Sequence, residues 1–214
     1  MSSRELILNR IRTANRSGDL AGPDDGGRSW AYGQPTAMED VLTRFVDRVQ
    51  DYQATVIRCS EGRVAEHIGE ALSEVHVTSV VLPSGAPPAW RDAVRARGIE
   101  VRDDTPLSHA ELDDTGAVVT GSRVSIAETG TIVLDHGPDQ GRRALTLVPD
   151  VHVCVVRSEQ VVSDVPEAVQ VLAATIATGH PLTWISGGSA TSDIELDRVE
   201  GVHGPRTLIV LLVG

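Results

Sequence analysis

Aromatic residues are scarce in this chain of 214 residues, which has three tryptophans, two tyrosines and one phenylalanine. Its core must therefore consist mainly of valine, leucine, isoleucine and alanine, a composition that suits buried parallel strands. Cysteine is scarce too: Cys59 and Cys154 each lie within an apolar run, with no second thiol nearby. We interpret both as small buried hydrophobic residues.

Basic residues are outnumbered, with 19 lysines and arginines against 30 acidic residues and a formal net charge of −11. Proteins bind a phosphate backbone through basic stripes, so we expect no nucleic-acid partner. No apolar run reaches the length of a membrane span, and charges interrupt the N-terminal segment where a signal peptide needs an apolar core. We therefore expect a cytoplasmic protein without a membrane span.

Metal-ligand patterns are also lacking. The seven histidines are scattered without a His-x3-His or His-x-His pair, and there is no Cys-x2-Cys motif. The sequence therefore predicts no metal site. An iron-sulfur cluster needs more thiolates than two cysteines can supply, so we expect no cofactor to be bound by this chain alone.

The length suits one large α/β domain. Ser2 and Glu5 have the spacing of a capping box, which predicts a helix over residues 3–15, and a segment rich in glycine, proline and aspartate follows up to Pro35. We predict an N-terminal helical arm and linker over residues 1–35. A single α/β domain is predicted over residues 36–214.

Helical and extended patterns alternate in the first half of this domain. Helices are predicted from Thr36, in a capping box with Glu39, from Ser60 and from Pro88; strands are predicted over residues 54–59, 78–82 and 99–101. After a short helix near Ser108, the expected elements are strands over 118–120, 132–134, 146–148, 151–156 and 208–213 and a helix over 166–178. This order predicts a three-layer α/β/α fold with a parallel sheet.

One segment has the residues of a ligand-binding loop. After the apolar run that ends at Ile185, the chain reads S-G-G-S-A-T-S-D-I-E and later G-V-H-G-P-R. Glycines and hydroxyls can form a nest of free amides that favours an anion, and the second motif adds a histidine and an arginine. Two alternatives are open: the loop can be a tight connection between strands, and Arg206 can pair with Asp193 or Glu195.

A second candidate is Glu128, a carboxylate followed by Thr129 and glycine at the start of a strand. It can act as a nucleophile, face a substrate, or bind loop amides as a structural residue. Arg142 lies in a polar loop and suits a carboxylate or phosphate. His152 alternates with valines in a strand, and we interpret it as packed in the core.

The candidate catalytic residue is thus Glu128. The candidate ligand-binding residues are Thr129, Arg142, Ser186, Gly187, Gly188, Ser189, Thr191, Asp193, Glu195, His203 and Arg206. We predict that Ser189, Thr191, His203 and Arg206 form one anion site for a small carboxylate or phosphate.

Four motifs carry a family resemblance: I-S-G-G-S-A-T-S-D-I-E, G-V-H-G-P-R, I-A-E-T-G-T-I-V-L from Ile126 and V-P-D-V-H-V-C-V-V from Val148. They resemble the lactate-utilisation protein C (LutC/YkgG) family, whose domain is the LUD domain, over about residues 115–213. The resemblance implies a role in bacterial oxidation of L-lactate to pyruvate beside iron-sulfur partner subunits, which would carry the clusters. It also implies a fold like that of the sugar-phosphate isomerases and CoA-transferases.

The same resemblance leaves the chemistry of this chain open. In the CoA-transferase relatives a nucleophilic glutamate lies in a Ser-Glu-Asn-Gly motif, but here Ala127 and Thr129 flank Glu128. The alternatives are a subunit of a lactate-oxidising system, a free-standing transferase or isomerase that uses Glu128, and a non-catalytic module that binds partners. A homo-oligomer is possible with each of them.

Overall fold

The computed structural model describes residues 2–17, 35–104, 106–188, 190–192, 198–200 and 204–214. The chain divides into two units, Met1–Tyr32 and Gly33–Gly214. The first contains helix α1 (Ser3–Ser17). Its predicted capping box is formed, since the Ser2 amide donates to Glu5 Oε2 at 2.7 Å and the Glu5 amide donates to Ser2 Oγ at 3.3 Å. Most of the predicted linker lies outside the described residues, and the boundary at residue 35 stays a prediction.

The second unit contains the strands and the remaining helices. The strands are β1 (Thr55–Cys59), β2 (Ser79–Leu82), β3 (Glu100–Asp103), β4 (Ala117–Thr120), β5 (Val124–Ile126), β6 (Thr131–Leu134), β7 (Val151–Arg157), β8 (Val161–Val162), β9 (Thr183–Ile185), β10 (Ala190–Ser192), β11 (Arg198–Glu200) and β12 (Thr207–Val213). The helices are α2 (Val41–Asp51), α3 (Val64–Glu74), α4 (Pro88–Ala96), α5 (His109–Asp113) and α6 (Val165–Ala177).

Six strands form a parallel sheet in the order β1-β12-β7-β4-β2-β3. β12 and β7 are its longest strands, and both consist almost entirely of buried apolar residues. Such runs are typical of strands that are covered on both faces. The predicted α/β class with a parallel sheet is confirmed.

The two faces of this sheet have different cover. Helices α3 and α4 pack on one face, where Ile68, Leu72 and Trp90 contact alternate residues of the strands. On the other face lie α5, α2 and a four-stranded sheet in the order β8-β5-β6-β9. Helix α6 covers the outer side of that second sheet. Of the predicted short strands, the one over residues 132–134 is β6 of this second sheet, whereas those over 118–120 and 151–156 are β4 and β7 of the central sheet.

Helix α2 begins later than predicted. The expected capping box of Thr36 and Glu39 is wrong: Asp40 is the N-cap, and its side chain accepts a hydrogen bond from the Thr43 amide. Thr36 is used elsewhere, since its amide and hydroxyl both donate to Asp164 Oδ2, at 2.9 and 2.6 Å. Asp164 in turn caps α6.

Two other local predictions need correction. Ser60 makes no side-chain capping bond, and a 3₁₀ turn (Glu61–Arg63) separates it from α3. The predicted strand over residues 146–148 is wrong, because Arg143–Thr146 forms a 3₁₀ turn that buries Leu145 and Thr146. Val148 precedes a proline, which disfavours continuation of a helical turn and made an extended segment plausible.

None of the helices in the described ranges combines the length and the apolar character that crossing a bilayer requires.

Candidate functional site

The glycine pair of the predicted loop follows β9 and packs tightly. Gly187 has φ +81°, and a Cβ atom there would overlap the side chain of Tyr52. A Cβ atom on Gly188 would overlap the backbone oxygen of Arg206. Tyr52 lies just before β1 and Arg206 just before β12. The loop is therefore held against the amino-terminal ends of two neighbouring parallel strands, and close packing alone requires both glycines.

A chain of hydroxyl groups joins this loop to the Glu128 turn. Thr129 Oγ1 lies 2.7 Å from Thr131 Oγ1, which lies 2.8 Å from Ser186 Oγ. Thr131 is buried, and its strand β6 pairs with β9, so the two turns are fixed relative to each other. The structure thus brings together Thr129, Ser186 and the glycine pair.

Glu128 lies in the turn between β5 and β6, and its side chain is exposed. Its backbone amide donates to the Ser163 carbonyl oxygen at 3.0 Å. In the part of the chain that the structure describes, its carboxylate has no hydrogen bond or ion pair. The side chain is therefore open to a ligand, and its role stays a prediction.

Arg206 lies at the same end of the sheet. Its Nη1 atom is 3.7 Å from Asp150 Oδ2, and the two side chains are 60% and 63% exposed. Such an exposed pair is weak, and no second ion pair of Arg206 occurs among the residues that the structure describes. Thr191 lies in β10, which pairs with β11. The other loop residues with predicted binding roles lie outside the described residues: Ser189, Asp193, Glu195 and His203.

Arg142 is not close to this group. Its Nε atom donates to Asp104 at 2.9 Å and 3.2 Å from the two carboxylate oxygens, and Nη2 donates to the Leu107 carbonyl oxygen. Asp104 and Leu107 follow β3, which is the outermost strand on the side of the sheet away from β1. The guanidinium already holds a carboxylate, so it connects two loops of the fold.

A buried polar cluster lies on β4 and β7. His152 is 1% exposed, and its Nε2 atom is 2.8 Å from Thr120 Oγ1. Burial lowers the pKa of His152 to about 4, so the imidazole is neutral at pH 7. Burial raises the pKa of Cys154 to about 12, and that thiol stays protonated. The interpretation of His152 as a packed residue is confirmed.

The carboxyl-terminal ends of β1, β12 and β7 were not predicted to form a site. A pocket of about 440 Å³ lies there, with polar lining from Arg58, Ser60 and Ser158 and apolar lining from Leu42 and Leu212. The sequence does carry a signal, because a Ser-Glu pair directly follows each of the strands β1 and β7, at Ser60 and at Ser158. Polar residues just after parallel strands are where ligands of α/β sheets bind.

No cluster of three or more histidine, cysteine, aspartate or glutamate side chains that could hold a metal ion occurs within residues 2–17, 35–104, 106–188, 190–192, 198–200 and 204–214.

The fold and these loops define an α/β domain in which a parallel six-stranded sheet carries helices on one face and a smaller sheet on the other. Comparison with protein families gives its membership: the chain belongs to the LUD domain family, which matches residues 42–213. The predicted family is thereby confirmed.

Two relatives match this chain over its full length. Lactate utilization protein C of Deinococcus radiodurans is 47% identical over 215 aligned residues, which cover 100% of this chain and 98% of that protein. Lactate utilization protein C of Bacillus subtilis is 32% identical, with coverage of 100% and 97%. The crystal structure of a DUF162 family protein from Deinococcus radiodurans superposes with a TM-score of 0.72 and 46% identity, and covers 84% of this chain and 100% of that one.

Proposed function

We propose that the protein is a component of a bacterial L-lactate utilisation system that oxidises lactate to pyruvate. The observation that carries the proposal is the 47% identity to a lactate utilization protein C, which extends over the full length of both chains. A relative matched from end to end supports a shared role better than one matched over a single motif. The cytoplasmic location and the possible homo-oligomer stay predictions.

The proposal includes iron-sulfur partner proteins that carry the electrons. Its support lies in the thiols of this chain. It has two cysteines, and Cys154 is fully buried with its pKa raised to about 12 by burial. Cluster ligation needs several accessible thiolates, so the proposal assigns the clusters to partner proteins.

The proposal also includes a small anionic ligand at the Ser186–Arg206 end of the sheet. Its support is the arrangement of Thr129 and Ser186, which presents connected hydroxyls, and the largely exposed guanidinium of Arg206. Hydroxyl donors and a guanidinium together can hold a carboxylate such as that of lactate. Ser189, Thr191, Asp193, Glu195 and His203 complete this predicted site.

A free-standing enzyme that uses Glu128 is the second candidate. It is favoured by the exposed carboxylate of Glu128, which is open to solvent beside the Thr129 hydroxyl. In this case the purified chain alone would turn over a CoA thioester or a sugar phosphate. In the first case it would need its partners.

Deletion and co-purification test the proposal. A strain that lacks the gene should fail to grow on L-lactate but grow normally on pyruvate. The tagged protein, purified anaerobically from lactate-grown cells, should bring down iron-containing proteins, whereas the separately purified chain should carry no stoichiometric iron. Normal growth of the deletion strain on lactate would contradict the proposal.

Complementation with variants tests the Glu128 region. Glu128→Gln should impair growth on lactate while the free energy of unfolding changes by about 0.5 kcal/mol or less, because the side chain is exposed. Glu74→Gln, at an exposed glutamate of α3 on the other face of the sheet, is the matched control and should grow normally. A loss of several kcal/mol in Glu128→Gln would favour the structural role of this residue.

A further inference from the structure

The chain leaves the carboxyl-terminal ends of β1 and β7 toward opposite faces of the parallel sheet. After β1 the chain turns to α3 on one face of the sheet, and after β7 it turns to β8 and α6 on the other. Strand β12 lies between the two. Connections that diverge to opposite faces leave a crevice outside the strand ends, and ligands of open α/β sheets bind in such crevices.

A second crevice of this kind, between β2 and β4, is closed by the protein itself. The Gly85 amide donates to the Pro138 carbonyl oxygen and the Gly121 amide donates to the Asp139 carbonyl oxygen, each at 3.0 Å. The loop that follows β6 therefore fills the space above these strands. Of the two crevices, the one at β1 and β7 is open.

The open crevice is the pocket of about 440 Å³. This volume is in the range of small-molecule sites. It equals the space of roughly fifteen liquid water molecules, which is more than a three-carbon acid needs. The residues that line it include two leucines, Leu42 from α2 and Leu212 from β12, and the polar residues Arg58, Ser60 and Ser158.

The cation among the residues that line the pocket is Arg58. Arg58 is exposed and forms no ion pair with any residue that the structure describes. Two neighbouring carboxylates are already bound: Asp40 accepts from the Thr43 amide and hydroxyl, and Glu61 pairs with Arg157 at 2.9 Å.

The thiol at the end of β1 adds no negative charge to the pocket. Cys59 is partly buried, and burial raises its pKa above the ordinary value. It is therefore protonated at pH 7. Arg58 remains as the cation that faces the pocket.

We infer that this pocket binds an organic monocarboxylate larger than lactate, with the carboxylate on Arg58 and the apolar body against Leu42 and the edge of Leu212. A guanidinium can hold one carboxylate through two parallel hydrogen bonds, and the two serine hydroxyls can donate to the same group. The two leucines favour an alkyl chain, since each buried methylene adds favourable transfer free energy. The site is separate from the Ser186–Arg206 loop and does not rest on the proposed role in lactate utilisation.

Titration of the purified chain with hexanoate, butyrate, lactate and inorganic phosphate tests the inference. We expect hexanoate to bind more tightly than butyrate, and lactate and phosphate to bind weakly at this pocket. In amide spectra, hexanoate should shift the signals of Ser60, Ser158 and Gly214. Calorimetry supplies the dissociation constants.

Variants identify the residues responsible. Arg58→Gln should weaken hexanoate binding by about tenfold or more, because a charge-assisted hydrogen bond is lost. Arg58→Lys keeps the positive charge but loses the two parallel N–H donors of the guanidinium, so its affinity for hexanoate should lie between that of Arg58→Gln and that of the unaltered protein. Arg95→Gln is the matched control, since Arg95 is an exposed arginine of α4 on the other face of the sheet, and its binding should be unchanged.

Three results would overturn the inference. The first is the absence of hexanoate binding up to its solubility limit. The second is binding that is equally strong in Arg58→Gln and Arg95→Gln. The third is phosphate binding as tight as that of hexanoate and equally dependent on Arg58, which would assign the pocket to phosphate compounds.

Discussion

Acidification should destabilise the protein through His152. The imidazole is buried and neutral in the folded protein, and its pKa is lowered from 6.5 to about 4 by burial. Between these two values the unfolded chain binds a proton and the folded chain does not. Stability is therefore fully present above pH 6.5 and is lost as the pH falls toward 4.

The magnitude follows from the two pKa values. One pKa unit corresponds to about 1.4 kcal/mol, so the complete effect of His152 is about 3 kcal/mol. About 2 kcal/mol of it should already be lost at pH 5. This is a large part of the stability of an ordinary domain.

Urea unfolding at pH 7 and pH 5 measures the effect. His152→Gln is the informative variant, because its side-chain amide can bond the Thr120 hydroxyl but does not titrate in this range. The variant can differ in absolute stability. The predicted quantity is the free energy of unfolding lost between pH 7 and pH 5, which should be about 2 kcal/mol smaller in the variant than in the unaltered protein.

Working at pH 5 limits the contribution of the carboxylates, most of which titrate below this value. A shared m-value at the two pH values checks that the same surface is exposed on unfolding. If the unaltered protein and His152→Gln lose the same free energy between pH 7 and pH 5, the buried neutral state of His152 is refuted.

Two further predictions concern packing and thiol reactivity. Gly98→Ala should lower the free energy of unfolding by about 1–2 kcal/mol, because φ is +74° there, although a Cβ atom meets open space. Gly187→Ala, at φ +81°, should lower it by about 1–3 kcal/mol more, because its Cβ atom overlaps Tyr52. Equal losses of unfolding free energy in urea would contradict the close contact with Tyr52. In a thiol-reagent assay at pH 7, buried Cys154 should react only after unfolding and Cys59 slowly before it, and rapid labelling of two thiols in the native protein would be inconsistent with this burial.

The regular elements were predictable because their signals are local. The run from Val151 to Val156 gives β7 almost unchanged, and the alternation of helices and strands gives the parallel sheet. The capping boxes show the limit of local spacing. The one at Ser2 forms within its own helix, but Thr36 has an alternative partner in Asp164, which is 128 residues away in sequence. No spacing rule can show that competition.

The location of the candidate loops was also beyond local patterns. Strand β12 pairs between β1 and β7, although it follows them at the far end of the described chain. That placement puts Arg206 and the glycine pair at the amino-terminal ends of the strands. The sequence indicated an anion-binding composition, but only the strand order shows which end of the sheet carries it.

The two candidate sites can therefore be separated by a geometric argument. Arg206 precedes β12 and Leu212 lies near its end, and β12 has 7 residues. At about 3.3 Å per residue, the strand separates the two ends by roughly 20 Å. One small ligand cannot reach both, so Arg206→Gln should leave hexanoate binding unchanged and Arg58→Gln should leave binding at the Ser186 loop unchanged. If either variant loses both hexanoate binding and binding at the Ser186 loop, the two ends are coupled through the sheet or the fold has been damaged. The unfolding free energy of the variant distinguishes these cases, because only a damaged fold lowers it.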